Sequence, residues 1–547
     1  MPDIKTMTLR EKIAQLIIVK QSDLMQDPDT AYDSLRDPED AIRMVKENQY
    51  GGIWLHGTLD VNHVNADFYK ENVSFNSKEL LAWYENIRKH AKIPMIAAND
   101  AWGRGTATDL SVYPKGLAIG ASADEDAAFN VGRSIGREMS LCGTDWIWSP
   151  ILDKQNRLAS CIVRQYSNYT DDIIRCGIGY MKGLQSCNVA ATAKHFPGSD
   201  PVEMRDSHIV TTNINISMEE WEKDQGRIFQ ALIDAGVDSV MVGAHGFPAA
   251  DDTRVGKRYV PAGLSYKIIT ELLKGKMGFK GVVITDDVNM GGFTSFYNGS
   301  RLYAEFIKAG NDMLLGARAD AVDMIEEEVK KGTVSIERIE DACQRVLNLK
   351  AKLGLFDGYR TCDYTAEEAT EETRVLTRKL AESSATLVCD RDNQLPFDRN
   401  KIKKVAIIVY SHVDRTADDL APMKEEFEKY CAEVLVRRRL ESFVDAKEVA
   451  EEYDLLVYAG YIGFHEPKGY PSFYGDEFFS LQRALIYGVE KSVGVSLGYP
   501  HIHYNFMDDA NVFVNLYSMA PEMQKAFVRG LYGDLKFVGK SPLKLDE

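Results

Sequence analysis

Short apolar segments alternate with longer amphipathic segments between residues 15 and 316, and this alternation restricts the possible folds more than any other feature. The apolar segments are nearly continuous in Val, Ile, Leu, Met and Ala, as expected of parallel strands that are buried on both faces. There are eight of them, at 15–19, 51–57, 94–100, 144–151, 189–196, 238–245, 281–288 and 312–316. Eight such strands that alternate with helices predict an α/β fold, a (β/α)8 TIM-type barrel. The alternative, an open doubly wound sheet, lacks its glycine-rich phosphate fingerprint here.

The segments between these strands carry helix start and stop signals. Thr8 with Glu11, and Ser217 with Glu220, have the spacing of capping boxes. Glycines suited to a left-handed helix end predict helix termini at 143, 236, 278 and 332. A last helix at 335–353 would close a barrel domain, for which we predict the limits 1–355.

A second α/β series follows a polar, acidic connector at 356–384. Its strand-like segments lie at 385–389, 404–410, 432–438, 454–460, 492–497 and 510–517, and its helical patterns at 423–430, 446–452 and 521–531. Because 547 residues are too many for one hydrophobic core, we predict a smaller three-layer αβα sandwich domain with a mostly parallel sheet at 385–547. His501 and His503 follow Gly-Tyr-Pro and are predicted to lie on a solvated turn.

The acidic composition of the chain narrows the expected partners. Its 82 Asp and Glu exceed its 65 Lys and Arg, giving a net charge of −17, which argues against nucleic acid because a phosphate backbone needs a basic surface. No apolar run reaches the roughly 18 residues of a membrane span, and the first residues do not resemble an export signal, so we expect no membrane partner and a cytoplasmic location. The cysteines form no C-x-x-C pair, and H-E-x-x-H and EF-hand spacings are absent, so no metal and no cofactor are predicted.

Charged and proton-handling side chains follow most of the predicted barrel strands. In such a barrel the carboxyl ends of the strands meet on one face, where the chemistry lies. Any single polar residue there is about equally well explained as a turn cap or a solvated side chain, so the prediction rests on their convergence. The strand ends carry, in chain order, His56, Asp100, Asp153, Lys194, His195, His245, Asp286 and Asp287.

Three residues suit covalent and acid–base chemistry. Asp286 follows VVIT at 282–285, and a carboxylate fixed there can attack an electrophilic carbon or stabilise a cation. The alternative for such a position is a helix N-cap, for which Asp287 is the better candidate. His208 lies on the loop after KHFPG at 194–198, and its imidazole can donate and then accept a proton near neutral pH, with Asp206 orienting the ring. Taken alone, His208 is more typical of an exposed histidine without a role, and the acid–base interpretation gains from the growth of this loop out of Lys194 and His195.

Together these residues resemble a known family. MTLREKI at 7–13, KHFPG at 194–198, GFKGVVITDD at 278–287 and ND at 311–312 are similar, in order and spacing, to glycoside hydrolase family 3. DSH at 206–208 resembles the β-N-acetylglucosaminidase (NagZ-like) subgroup, in which an Asp–His dyad on a barrel loop supplies the acid/base. The resemblance covers nearly the whole chain and implies a barrel followed by a C-terminal sandwich domain.

The resemblance also implies roles for individual residues. Asp286 would be the nucleophile and His208, oriented by Asp206, the acid/base, with retention of configuration by double displacement. The substrate-binding residues that the resemblance implies for sugar hydroxyls are Asp100, Arg164, Lys194 and His195.

Two departures from the family pattern concern the sugar subsite. Trp102 stands where a Glu is usual, and Ser199 lies in PGSDP, where His-Gly-Asp is more usual. From the resemblance as a whole, the first hypothesis is an exo-acting β-N-acetylglucosaminidase that acts on cell-wall or chitin-type oligosaccharides. The alternatives are a β-glucosidase, a glycoside phosphorylase, or a sugar-binding protein whose rim has changed. A Lys194 Schiff-base enzyme fits the neighbouring residues less well.

Overall fold

The computed structural model describes residues 1–26, 37–56, 58–59, 73–101, 106–154, 159, 164–358, 360–411, 419–462, 472–503 and 507–545. Trp102 lies outside these residues. The chain forms two compact units that interleave in sequence. The first comprises Met1–Ser111, Gly132–Asp153 and Gly177–Glu372, and the second comprises Val112–Val131, Lys154–Cys176 and Thr373–Glu547. The domain limits that we inferred from the sequence stay a prediction.

Eight parallel strands of the first unit form a nearly closed barrel, which confirms the predicted (β/α)8 fold. They neighbour one another in chain order as β1, β2, β5, β6, β7, β9, β13 and β14, and β14 returns to pair with β1. A bridge between Ile284 and Met313 links the last two strands. The strands of this unit are β1 (Ile17–Lys20), β2 (Gly52–Trp54), β3 (Thr58–Leu59), β4 (Val73–Ser74), β5 (Ile96–Asn99), β6 (Trp146–Ile147), β7 (Ala190–Phe196), β8 (Thr212–Asn213), β9 (Ser239–Val242), β10 (His245–Gly246), β11 (Arg254–Val255), β12 (Arg258–Tyr259), β13 (Val282–Thr285) and β14 (Leu314–Leu315).

The barrel interior is filled by large side chains from successive strands. Trp146 and Trp148 are buried within a cluster that also contains Ile18, Ile284 and Met313. The indole N–H of Trp146 donates to Thr192 Oγ1 at 2.7 Å, so the interior polar atoms that face it are paired. This packing makes the strands rigid supports for the residues at their ends.

The helices follow the predicted capping signals. Both predicted capping boxes form, at Thr8 and at Ser217, and the glycines at 143, 236, 278 and 332 all have positive φ. The segment Lys267–Lys276 is a π-helix, and short 3-10 helices lie at Ile4–Thr6, Ala262–Leu264 and Val489–Lys491. The α-helices as far as residue 384 are α1 (Leu9–Ala14), α2 (Gln21–Met25), α3 (Pro38–Asn48), α4 (Ser77–Arg88), α5 (Gly116–Ala121), α6 (Ala127–Ser140), α7 (Thr170–Ser186), α8 (Met218–Lys223), α9 (Gln225–Asp234), α10 (Gly291–Thr294), α11 (Gly299–Ala309), α12 (Ala321–Lys330), α13 (Ile336–Lys352) and α14 (Ala366–Ser384).

The second unit contains a six-stranded sheet in the order β15-β20-β19-β18-β16-β17. All pairs are parallel except β15 with β20, so the predicted mostly parallel sheet is confirmed. His501 and His503 are 1% and 7% exposed, so the predicted solvated turn is wrong, and His503 packs against Phe513. The remaining elements are β15 (Thr386–Asp390), β16 (Lys404–Tyr410), β17 (Glu433–Arg438), β18 (Leu455–Gly460), β19 (Ser492–Ser496) and β20 (Val512–Asn515), with α15 (Ala421–Phe427), α16 (Phe443–Glu452), α17 (Asp476–Gly488) and α18 (Pro521–Leu531).

Across the described residues, no helix combines the length and the apolar character needed to cross a bilayer.

Candidate active site

An ion pair joins two strand ends of the barrel. Asp100 directly follows β5, and Lys194 lies near the end of β7 with a side chain that is only 2% exposed. The Lys194 ammonium donates a hydrogen bond to the Asp100 carboxylate, as a buried charge requires. Because Asp100 is 31% exposed, the pair presents a carboxylate to any ligand on this face.

His195 is held in one orientation by Asp153. Its Nδ1 lies 2.7 Å from Asp153 Oδ2, and its backbone N–H donates to Asp153 Oδ1 at 3.1 Å. With a proton on Nδ1 donated to this carboxylate, Nε2 points the other way and lies 3.8 Å from Asp286 Oδ2. His195 therefore lies between a structural carboxylate and the predicted nucleophile.

Asp286 is positioned by the backbone at the end of β13. The four residues of β13 are buried, and the Asp286 N–H donates to the carbonyl of Val242 at 3.1 Å. Its Oδ1 accepts the N–H of Asp287 at 2.9 Å, while its side chain remains 15% exposed. A carboxylate fixed in this way needs little reorganisation before it attacks a bound substrate.

Asp287 has a different role from the one predicted. Its carboxylate forms an ion pair with Lys20 at 2.8 Å and accepts two hydrogen bonds from Asn289. The next helix, α10, has Met290 as its N-cap, so the prediction that Asp287 caps this helix is wrong. Asp287 instead ties the loop after β13 to the end of β1.

Asp206 and His208 form a close pair on the loop after β7. His208 Nδ1 lies 2.5 Å from Asp206 Oδ1, and the His208 N–H donates to the same oxygen at 2.9 Å. The Asp206 side chain is 3% exposed and that of His208 is 41% exposed. The carboxylate is therefore covered while the imidazole is partly accessible, which is the arrangement that a proton donor needs.

The first part of this loop is fixed by helices α8 and α9. Trp221 Nε1 donates to the carbonyl of Pro197 at 2.7 Å. The side-chain amide of Gln225 accepts from the N–H of Ser199 at 2.5 Å and donates to the carbonyl of the same residue. Gly198 has φ +112°, and a Cβ there would lie 1.5 Å from Gln225 Oε1, so this close approach requires glycine.

The middle of the loop is organised by Asp200. This residue is 4% exposed, and its Oδ1 accepts the N–H groups of Val202 and Glu203 while its Oδ2 accepts that of Asn215 at 2.6 Å. A buried carboxylate that accepts three backbone N–H groups stabilises a single loop conformation. The departure from the family pattern at 199–200 therefore forms part of the loop's own framework.

The far end of the loop is held by two glycines that the sequence analysis did not identify. Gly291 N–H donates to the carbonyl of His208 at 2.8 Å, and Gly292 N–H donates to that of Ser207 at 3.1 Å. A Cβ on Gly291 would lie 2.3 Å from the carbonyl oxygen of Ile209. The signal that could have found them is the glycine pair itself, at the start of a helix that follows Asp286.

Two further histidines lie close to the site and are kept neutral by burial. Burial lowers the pKa of His245, whose Nδ1 lies 2.5 Å from Thr212 Oγ1, despite the opposing charges of Asp153 and Asp286. Burial also lowers the pKa of His56 to about 4, and its ring lies 4.2 Å from that of Trp54.

Arg164 is the one predicted sugar-binding residue that belongs to the second compact unit. Arg164 is 8% exposed. Its role therefore stays a prediction, whereas the structure brings Asp100, Lys194, His195 and Asp286 to the same end of the barrel.

A sequence model described as the glycosyl hydrolase family 3 N-terminal domain matches residues 8–349, which include all eight barrel strands and the dyad loop. The chain belongs to glycosyl hydrolase family 3. It is therefore an enzyme that acts on glycoside substrates.

Relatives with known names fall into more than one substrate class. A β-N-acetylglucosaminidase/β-glucosidase of Cellulomonas fimi is 25% identical over 499 residues, which cover 86% of this chain and 87% of that protein. A β-hexosaminidase of Neisseria meningitidis serogroup C (strain 053442) is 32% identical over 215 residues, covering 39% of this chain and 57% of the relative.

Solved structures of family 3 enzymes share the fold of almost the whole chain. A β-glucoside phosphorylase, BglX, bound to 2FGlc superposes with a TM-score of 0.84 at 23% identity and covers 99% of this chain and 95% of its own. A β-N-acetylglucosaminidase from Paenibacillus sp. str. FPU-7 superposes with a TM-score of 0.80 at 23% identity and covers 99% of both chains. At these identities the likeness concerns the fold alone.

Proposed function

We propose that this family 3 enzyme is a retaining, exo-acting β-N-acetylglucosaminidase that removes terminal β-linked N-acetylglucosamine from cell-wall or chitin-type oligosaccharides. The observation that carries the proposal is the contact of 2.5 Å between His208 Nδ1 and Asp206 Oδ1. This pair provides an acid/base group on a loop of the barrel unit. The relatives named β-N-acetylglucosaminidase and β-hexosaminidase support the choice of sugar.

The first half of the reaction forms a covalent intermediate. An oxygen of Asp286 attacks the anomeric carbon while the bond from that carbon to the leaving oxygen breaks. His208 gives its Nε2 proton to the leaving oxygen, and Nδ1–H stays hydrogen-bonded to Asp206, which stabilises the imidazolium before transfer. The Lys194–Asp100 pair and His195 hold the hydroxyls of the sugar.

The second half reverses these roles. His208 Nε2 removes a proton from water as the water oxygen attacks the anomeric carbon, and Asp286 leaves as a carboxylate. Both displacements occur at the same carbon, so the configuration is retained.

A β-glucosidase or a glycoside phosphorylase is the second candidate. The Cellulomonas fimi relative is named for both sugars, which favours keeping glucose as an alternative. A neutral imidazole acid/base repels an incoming phosphate less than a carboxylate would, which favours keeping phosphorolysis.

Aryl β-N-acetylglucosaminide and aryl β-glucoside, each assayed with and without inorganic phosphate, separate these candidates. We expect the N-acetylglucosaminide to be cleaved at least tenfold faster, in kcat/KM, and water to be the acceptor. Turnover of the glucoside alone would contradict the proposed sugar, and a sugar 1-phosphate product would contradict hydrolysis.

The His208→Ala variant tests the acid/base role. Since only a poor leaving group needs the proton, we expect roughly a 10²- to 10⁴-fold loss with an alkyl or sugar leaving group and a much smaller loss with dinitrophenolate. Equal losses with both leaving groups would remove His208 from the role of acid.

A further inference from the structure

A cavity of about 460 Å³ lies beside the residues that follow His208. Its walls come from three segments of the barrel unit, which are 205–213, the β11–β12 hairpin and the end of α10. Two backbone hydrogen bonds, from the N–H groups of Ile209 and Val210 to the Asp206 carbonyl, form the turn that links the dyad to this wall. The cavity is therefore attached to the acid/base pair through the chain itself.

The charge of this cavity is opposite to that of the whole protein. Arg205, Lys257 and Arg258 line it, and none of its described lining residues is acidic, although the chain carries a net charge of −17. Arg205 is neutralised by a bidentate pair with Glu203, at 2.9 and 2.5 Å. Neither Lys257 nor Arg258 has an ion-pair partner among the described residues, so two positive charges remain uncompensated.

Arg258 is held in place by contacts that leave its charge unpaired. Its guanidinium lies over the ring of Phe296 at 4.4 Å and donates to the carbonyl of Ser295 at 2.6 Å. Ser295 Oγ in turn lies 3.3 Å from Thr211 Oγ1, so hydroxyl groups line the same wall. A positioned guanidinium with neighbouring hydroxyls is suited to bind a carboxylate or a phosphate.

The position of the cavity relates it to the leaving group. A general acid must lie within about 2.6–3.2 Å of the oxygen that it protonates. In a glycoside that oxygen joins the sugar held by the strand ends to the leaving group, which must therefore pass beside His208 and the residues next to it. The cavity begins at those residues.

We propose that this cavity is an oxyanion site on the leaving-group side of the active site, with Lys257 and Arg258 as its cationic residues. This inference rests on the part of the proposed function that hydrolysis and phosphorolysis share, which is the double displacement at Asp286 with His208 as acid/base. The anion is either a carboxylate on the leaving group or free inorganic phosphate, since both present the same negatively charged oxygens.

Matched leaving groups test the carboxylate. Diacetylchitobionate and diacetylchitobiitol have the same leaving oxygen on the same open chain. The first, an aldonate, carries a carboxylate where the second, an alditol, carries a CH2OH group. Cellobionate and cellobiitol form the equivalent pair for glucose. We expect wild-type kcat/KM to be roughly fivefold higher for the aldonate than for the alditol, and the ratio to fall as salt is raised.

The control variant removes the same charge elsewhere. Lys257→Gln and Arg258→Gln should each lower the aldonate-to-alditol ratio by about two- to fivefold. Lys280→Gln also removes an exposed ammonium, but at the start of β13 on the opposite end of the barrel, and should leave the ratio unchanged. Because Lys257 lies on a hairpin turn without an ion-pair partner among the described residues, its replacement should not disturb folding.

Phosphate provides the second arm. If the anion is phosphate, its oxygen attacks the glycosyl-enzyme carbon, the bond to Asp286 breaks, and sugar 1-phosphate is released. The rate of its formation should rise with phosphate concentration, and Lys257→Gln and Arg258→Gln should weaken that dependence. The inference would be overturned if kcat/KM were the same for aldonate and alditol and if neither variant changed the dependence of the rate on phosphate concentration. If neither glycoside is cleaved, the proposed function fails, but the oxyanion site can still be tested by binding. Calorimetry should then show tighter binding of the aldonate than of the alditol, and Lys257→Gln should reduce that difference.

Discussion

The two hydrogen bonds from Gly291 and Gly292 to the dyad loop can be tested by adding a single methyl group. In Gly291→Ala the new Cβ would lie 2.3 Å from the carbonyl oxygen of Ile209 and 3.1 Å from that of His208. Both contacts are with backbone, so no side chain can rotate away to relieve them. Gly291 does not have a positive φ, so the methyl contact alone decides the effect.

The size of the effect follows from the distance. An ordinary contact needs about 3.4 Å, so the loop and α10 must separate by about 1 Å. A displacement of that size costs on the order of 10²-fold in rate when it moves a catalytic group, which corresponds to about 2.7 kcal/mol. The loop is tied to α8 and α9 at its other end, so the shift should appear at His208 rather than spread along the whole loop.

The assay compares two leaving groups on the same sugar. We expect Gly291→Ala to lower kcat/KM roughly 100-fold for a methylumbelliferyl glycoside and only a few-fold for a dinitrophenyl glycoside, which leaves without protonation. Gly275→Ala is the control, because its Cβ would meet only the Thr270 carbonyl, at 3.2 Å, in a helix away from the site. Equal losses on both glycosides would show that Asp286 has moved instead, and would refute the positioning of His208 by this contact.

Three further predictions concern the nucleophile, the start of the loop and a buried histidine. Asp286→Ala should lower turnover of every glycoside by roughly 10⁴-fold or more, with an unchanged melting temperature; a rate near that of wild type would reassign the nucleophile. Gln225→Leu leaves both backbone groups of Ser199 without their partner and should cost about 1–3 kcal/mol of unfolding free energy in a denaturant titration, whereas an unchanged midpoint would contradict this. The pKa of His56 in the folded protein, about 4, is below its unfolded value of about 6.5, so the stability present above pH 6.5 is lost as pH falls toward 4, by about 3 kcal/mol in all. His56→Gln should therefore flatten the fall of the melting temperature with pH, and an unchanged slope would contradict the lowered pKa of His56.

The barrel could be predicted from the sequence because its signal is repeated. Each strand is a short apolar run, as burial on both faces demands, and each of the two predicted capping boxes marks a helix start at the expected residue. The bounds were less accurate, since the run at 312–316 contributes only Leu314–Leu315 to the sheet. Met313 next to them pairs with the preceding strand only through the isolated bridge to Ile284.

The second unit shows where such patterns fail. Helix α17 was not predicted, because Phe478 and Phe479 at its start are 44% and 52% exposed and interrupt the expected apolar stripe. His501 and His503 were placed on a solvated turn from the preceding Gly-Tyr-Pro, yet both are buried. Local turn chemistry does not report how much of the fold covers a turn.

Some residues of the site could be predicted from the sequence and others could not. Asp100, Lys194, His195 and Asp286 could be placed together from the sequence because each ends a strand, and strand ends of a barrel share one face. The supports of the dyad could not, because Trp221, Gln225 and the glycine pair contact the loop only after the chain has folded. No local pattern distinguishes such contacts from ordinary helix residues.

The loop that carries Asp206 and His208 is held at its two ends by different helices. The start of the loop depends on α8 and α9, whereas its far end depends on α10, which follows the nucleophile within the same loop after β13. His208 and Asp286 are thus held to a common segment although they lie far apart in sequence. A change at Gln225 should therefore impair protonation of the leaving group while leaving attack by Asp286 intact. A change that moves α10 as a whole should impair both steps, and the leaving-group dependence of each variant separates the two cases.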